Sequence, residues 1–200
     1  EENKESQTKL IEPEENYSKN KYLLKDRYLL SNVKSGILII DTYRAKQRLL
    51  YDEMMQQFVT QPIASQKLMF PLELALDQNE MDSWVDSNSL LMQLGFTFKI
   101  ENKVFQLESL PACIIENDCK SCIDGITKTL SSSQKPDKGE LAHELISAVV
   151  YSASKASRLH SDQEIESFIN LLFSCEDHSF CPFGKPIMQT FTIEELTTKF

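Results

Sequence analysis

Asp41, Tyr43, Gln47 and Asp52 follow directly on the apolar run Gly36-Ile37-Leu38-Ile39-Ile40. Carboxylates hold magnesium or manganese ions and help to organise water for hydrolysis. Spacing decides what these four can do together. With a helix starting at Asp41, positions 43 and 47 are four apart and share one face. Tyr43 and Gln47 are neutral there, and a phenol and a carboxamide are poor ligands for zinc or manganese. Asp41 and Asp52 are eleven residues apart, about three turns, and share a different face. Asp41 also has a sufficient structural role as an N-cap, because its carboxylate can accept the free amide hydrogens of a first helical turn.

A second group lies near the C-terminus, in Cys181-Pro182-Phe183-Gly184-Lys185-Pro186. Cys181 could bind a metal and Phe183 cannot. Pro182, Gly184 and Pro186 suit a turn feeding a last strand. Cys119-Lys120-Ser121-Cys122 has the C-x-x-C spacing, but no second pair or neighbouring His completes a zinc site. It follows Asn117-Asp118 at an expected helix start, where a thiolate gains some stabilisation. The two thiols read as incidental. His143 reads as structural or exposed. With five Gly in the chain, no Gly-rich phosphate loop and no ATP site are visible.

The elements that position these residues follow from periodicity and punctuation. Tyr22 to Leu30 and Gly36 to Ile40 read as strands around a turn at Asn32-Val33-Lys34-Ser35. A helix runs from Asp41 to about Phe58, with Leu50, Met54 and Phe58 on its core face. Ser65 to Leu76 reads as extended. Asp77 and Glu80 have capping-box spacing for a helix carrying Met81, Trp84, Val85, Leu91 and Leu94, stopped at Gly95. Phe96 to Ile100 and Val104 to Leu107 form a hairpin that Pro111 ends. Helices are expected over Ile114–Leu130 and Glu140–Leu159, separated by the loop Ser131 to Gly139. Ser161 and Glu164 box a further helix, Pro186 to Phe191 is a strand, and Thr192 and Glu195 box a short last helix.

The chain has 200 residues, 41% hydrophobic, 26% charged and 9% aromatic, which is ordinary for a globular α/β protein. No apolar run approaches the roughly 18–20 residues of a membrane span. The start Glu1-Glu2-Asn3-Lys4 shows neither a signal peptide nor an initiator Met, and the chain reads as a fragment of something longer. A net charge of −9 disfavours strong DNA binding by the domain itself, since that affinity comes mainly from Lys and Arg on phosphates. Five Cys without a secretory signal point to a reducing cytosol and free thiols.

The strand-to-helix step at Asp41 resembles the start of the C-terminal domain of MutL-type DNA mismatch-repair proteins. Nuclease-active members read D-Q-H-A-x-x-E-x-x-x-x-E there. This chain keeps Asp41, with Thr42 and Tyr43 for Gln-His, Gln47 for the first Glu and Asp52 for the second. Cys181 to Pro186 resembles the family's C-P-H-x-R-P, with Phe183 in place of His and Lys185 in place of Arg. Ala153-Ser154-Lys155 stands for A-C-R or A-C-K, with Ser154 in place of Cys. The family's Glu, Cys and His donors are therefore missing at 47, 154 and 183. Asp41, Asp52, His160, His178 and Cys181 are left to form any metal site. Gln66-Lys67-Leu68-Met69-Phe70-Pro71 is similar to the family's Q-x-L-[LI]-x-P segment, which touches the replisome's sliding clamp. There a Gln anchors by hydrogen bonds and alternate apolar residues fill a pocket. A core strand over Leu68, Met69 and Phe70, with Pro71 at a bulge or edge, is the competing reading.

The resemblance implies a mixed α/β fold of two lobes. Residues 1–16 are a linker end. Residues 17–63 and 161–200 form an internal dimerisation lobe built from both chain ends, and 64–160 an inserted, largely helical external regulatory lobe. It implies a homodimer working in DNA mismatch repair with the mismatch-recognition protein MutS and the sliding clamp, touching DNA mainly through other regions, in the bacterial cytosol at the nucleoid. Clamp contact falls on Gln66, Leu68, Met69, Phe70 and Pro71. No catalytic residue and no cofactor are expected, beyond a divalent ion held loosely by the surviving acids. A metal-dependent DNA-nicking endonuclease with an altered ligand set is the alternative, and an unrelated ligand-sensing domain the third class.

Overall fold

The computed structural model describes residues 21–132, 137–153 and 159–200. The linker end expected over residues 1–16 lies outside them, as does Ser154. The described residues are mixed α/β. In chain order they form β1 (Lys21–Leu24), β2 (Tyr28–Val33), β3 (Gly36–Asp41), α1 (Thr42–Thr60), β4 (Ser65–Leu74), α2 (Gln78–Asp86), α3 (Asn88–Gln93), β5 (Thr97–Glu101), β6 (Val104–Pro111), a 3-10 turn at Glu116–Asp118, α4 (Cys119–Leu130), α5 (Lys138–Ala153), α6 (Asp162–Ser174), β7 (Met188–Thr192) and α7 (Ile193–Thr197). They divide into two compact units. One holds the described residues up to Thr42 together with Ile187–Phe200, and the other is Tyr43–Pro186.

The smaller unit is an antiparallel sheet of order β1-β2-β3-β7, so the two ends of the chain meet in one sheet. The segment Tyr22 to Leu30, expected as one strand, is two. Lys25 and Asp26 take left-handed φ values of 49° and 54° and turn the chain back on itself, within the charged run Lys25-Asp26-Arg27. The second hairpin is tighter than expected. Val33 pairs with Gly36, so Asn32 and Val33 belong to the strand and only Lys34-Ser35 turns. A Cβ on Gly36 would lie 1.9 Å from the Phe191 carbonyl oxygen. Only glycine lets β3 approach β7 there.

Alternation sorts the sheet into two faces. Leu23, Leu29, Ile40 and Met188 stand in register on one, where Leu29, Leu38 and Ile40 are buried. Tyr22, Leu30, Ile39 and Gln189 stand in register on the other, beside the row Asn32, Ile37 and Phe191. On this second face Tyr22 is 63% exposed and Phe191 36%. α7 starts from a reciprocal cap. Thr192 Oγ1 accepts from the Glu195 amide at 3.1 Å, and the Glu195 carboxylate accepts from the Thr192 amide at 2.8 Å.

The larger unit carries a second antiparallel sheet, β4-β6-β5. Its core centres on Trp84, whose indole meets Phe96, Phe98 and Phe105 edge-on at 6.0, 5.7 and 5.1 Å between centroids. The indole N–H donates to Thr127 Oγ1 at 3.1 Å, so burying it leaves no donor unmade. Met54 is buried in this core with Leu50 and Phe58 packed against it, as the spacing predicts. The helix expected after Asp77 begins with its capping box but breaks at Ser87, which is C-cap of α2 and N-cap of α3. Asp86, Ser87 and Asn88 are short polar side chains that compete with helical hydrogen bonding. Val85 on α2 is 49% exposed. Gly95 stops α3 at φ 91°. The helix expected from Ile114 starts only at Cys119, after the 3-10 turn. α5 begins at Lys138; residues 154–158 of the helix expected to Leu159 lie outside the described residues, and Leu159 itself is not helical.

Candidate functional site

Asp41 is the last residue of β3 and is 6% exposed. Its amide donates to the Ile187 carbonyl at 2.8 Å. Its Oδ2 accepts from Arg27 Nη2 at 3.0 Å, and Thr42 Oγ1 donates to the Arg27 carbonyl at 2.8 Å. The Thr42 amide donates to the same Arg27 carbonyl at 2.8 Å, so the turn before β2 is tied to the end of β3 by the ion pair and by both of these hydrogen bonds. A buried carboxylate needs such a partner to stay charged.

On α1, Tyr43 is half-buried and Gln47 only 3% exposed. Asp52 accepts from Arg48 one turn earlier. It also holds the thiol of Cys175, which burial and then the Asp52 charge push up to about 11. Both acids of the opening motif therefore carry an arginine. Neither Arg27 nor Arg48 was singled out in the sequence. The i, i+4 spacing of Arg48 and Asp52 was a usable signal; Arg27 and Asp41 meet only through the β2–β3 register.

Cys181 is 3% exposed and sits in the expected turn. Its amide donates to the Lys185 carbonyl at 2.9 Å, and the Gly184 amide donates to the Cys181 carbonyl at 2.9 Å. Arg44 Nη1 donates to the Pro186 carbonyl at 2.8 Å. Phe183 turns its ring to Tyr151, perpendicular at 6.0 Å. His160 is exposed, and His178 packs beside Phe173 at 5.4 Å. His178 Nδ1 is buried without a hydrogen-bond partner, which is one orphaned donor and no ligand set.

Among the described residues no three of His, Cys, Asp and Glu come together as a metal would need. Asp41 and Asp52 each give one carboxylate oxygen to a guanidinium group.

Gln66 to Pro71 lies in β4, and the sheet deforms there. Lys67 pairs with Ser109 and Leu72 with Leu107, so four residues of β4 span one of β6. Leu68 packs against the core and Gln66 Nε2 donates to the Ile114 carbonyl. Met69 is 89% exposed and Phe70 78%. The core-strand reading holds for Leu68 and not for Met69 and Phe70, which face water. Burial pushes the Cys113 thiol up to about 11 and raises that of Cys122 further. At Cys122 burial outweighs any help from the helix start.

The described residues contain no helix long and apolar enough to cross a membrane. A family model described as the MutL C terminal dimerisation domain matches residues 22–159. The DNA mismatch repair protein MutL of Christiangramia forsetii is 28% identical over 190 residues, which cover 94% of this chain and 31% of that protein. The protein of the same name from Flavobacterium johnsoniae is 27% identical over 191 residues, covering 93% and 29%. That of Parabacteroides distasonis is 30% identical over 186 residues, covering 90% and 29%. The chain spans under a third of the length of these relatives. With the family model matching well over half of it, the chain belongs to the family of MutL C-terminal dimerisation domains.

Proposed function

We propose that this domain joins two copies of a mismatch-repair protein and does no DNA chemistry of its own. One observation carries the reading beyond the family match. The outer face of the β1-β2-β3-β7 sheet presents Tyr22, Leu30, Ile37, Ile39 and Phe191 in adjacent rows. An apolar sheet face is self-complementary when two copies meet about a two-fold axis. Stable interfaces bury on the order of 1,600 Å², which such a face supplies only with flanking residues such as Leu24, Tyr28 and Ile193, all exposed. The relatives are named for DNA mismatch repair, and joining the protomers is what this domain contributes to it. In this reading the lobe drawn from both chain ends, residues 17–63 and 161–200, makes the dimer, and 64–160 is regulatory. MutS and DNA are met through other parts of the longer protein, in the bacterial cytosol. Sedimentation at micromolar concentration tests this: the particle mass should be twice the 23.0 kDa of the chain.

A second contact, with the sliding clamp, is favoured by the bulge in β4. It lifts Met69 and Phe70 off the sheet as two adjacent apolar anchors. Gln66 and Leu68 are already engaged within the chain, so the exposed pair carries this contact. The alternative of an endonuclease with an altered ligand set is disfavoured by the arginines on Asp41 and Asp52.

A further inference from the structure

Within the larger unit, a cleft of about 560 Å³ opens between α1, α4, α5 and the loop at Pro182-Phe183. Its lining holds aromatic rings, one carboxylate and several hydroxyl groups. Tyr51, Tyr151 and Phe183 line it, with Glu144 and His143. No Lys or Arg is among the described residues that line it. We propose that this cleft receives a lysine or arginine side chain carried by a basic segment of a partner protein.

Each part of the lining bears on that choice of occupant. Tyr151 and Phe183 meet edge to face at 6.0 Å and 86°, forming two walls of a corner. They are 51% and 39% exposed, so their surfaces are reachable from solvent. The face of an aromatic ring is the negative end of its quadrupole and attracts an ammonium or guanidinium group. The chain makes this kind of contact itself: the Arg48 guanidinium lies 4.9 Å from the centroid of the Tyr51 ring. Glu144 is exposed on α5 and adds a full negative charge to the lining. His143 is engaged with Tyr51, its Nδ1 2.5 Å from the phenol oxygen. That bond fixes the wall of the cleft opposite an entering side chain. An anionic or purely apolar guest would meet Glu144 unpaired. A cation of modest size meets rings and a carboxylate together. The net charge of −9 draws basic segments towards the domain before any specific contact forms.

The test is fluorescence anisotropy of the whole chain with a labelled decapeptide of alternating Arg and Ser, at low ionic strength. A decapeptide of alternating Glu and Ser is the charge-reversed control. The Arg peptide should bind and the Glu peptide should not. Phe183→Leu should weaken binding roughly two- to five-fold, the range of an exposed cation–ring contact, and Glu144→Gln by up to about five-fold, the range of an exposed ion pair. Glu166→Gln, an equal charge loss on exposed α6, should leave it unchanged. If Phe183→Leu fails to fold by circular dichroism, Tyr151→Leu takes its place with the same expected loss. Equal binding by all variants means undirected charge attraction and overturns the proposal. So does a parent protein that does not bind the Arg peptide at millimolar concentration.

Discussion

Arg27 holds Asp41 at 3.0 Å, with the carboxylate side chain 7% exposed and the guanidinium side chain 48%. The acid that opens the family's motif is thus a structural ion pair between the β1–β2 turn and the end of β3. Removing the arginine takes an ionic partner from a buried carboxylate, whereas removing both charges leaves no such imbalance. Arg27→Ala should cost about 1–2 kcal/mol in urea denaturation, the range for a half-exposed partner of a buried acid. Arg27→Ala with Asp41→Asn should recover part of that loss. A single variant as stable as the parent would remove the structural role.

The same pairing sets the expectation for DNA chemistry. Metal-assisted hydrolysis needs a firmly held cation to activate water. The parent domain should leave supercoiled plasmid intact in manganese and zinc with the clamp present. Gln47→Glu, Ser154→Cys and Phe183→His together supply the positive comparison. Nicking by the parent that disappears in Asp41→Asn would show that the surviving acids are catalytic.

The bulge in β4 separates two kinds of residue within one hexamer. Met69→Ser with Phe70→Ser should abolish clamp binding, which is expected at only micromolar affinity, about −8 kcal/mol. Stability should change little, because both side chains already face water. Gln66→Ala should instead lower stability, through the lost bond to the Ile114 carbonyl. A clamp titration and a thermal melt on both variants check the pair of outcomes.

These residues also show what could be read from the sequence. The caps at Asp77 and Glu80, Ser161 and Glu164, and Thr192 and Glu195 involve residues three apart, and the structure has all three starts. The core face of α1 and the stop at Gly95 are equally local. The Arg27–Asp41 pair was not legible, because fourteen residues separate the partners and they meet only through the β2–β3 register. The bulge at Leu68 to Pro71 was not legible either, since it exists only relative to β6. The arginines that neutralise the motif's acids decide the chemistry of the site, and only one of them was within reach of a spacing rule.

The thiols predict a pH response. Burial raises Cys113 from 9.0 to about 11 in the folded chain. The folded state therefore keeps a proton that the unfolded state loses. This contribution to stability is full below the unfolded value and is lost as pH rises towards the folded one. Urea midpoints should fall between about pH 9 and pH 11, and the fall should shrink in Cys113→Ala. Alkylation of Cys113 at pH 8 should be slow in the folded chain and fast in denaturant. Rapid alkylation of the native protein would contradict the burial.

The central claim is that the outer face of the four-stranded sheet joins two copies of the chain. Sedimentation equilibrium on the parent, Ile39→Glu and Met69→Glu tests it most directly. Ile39 sits in the middle of the outer face, in register with Leu30 and Gln189, and Met69 lies on the bulge of the other sheet. A charge at Ile39 would be buried unpaired in the dimer, at a cost of several kcal/mol, and would stay in water in the monomer. The parent and Met69→Glu should sediment as dimers, and Ile39→Glu as a folded monomer. A parent that stays monomeric at high concentration, or an Ile39→Glu variant that dimerises as the parent does, would contradict the claim.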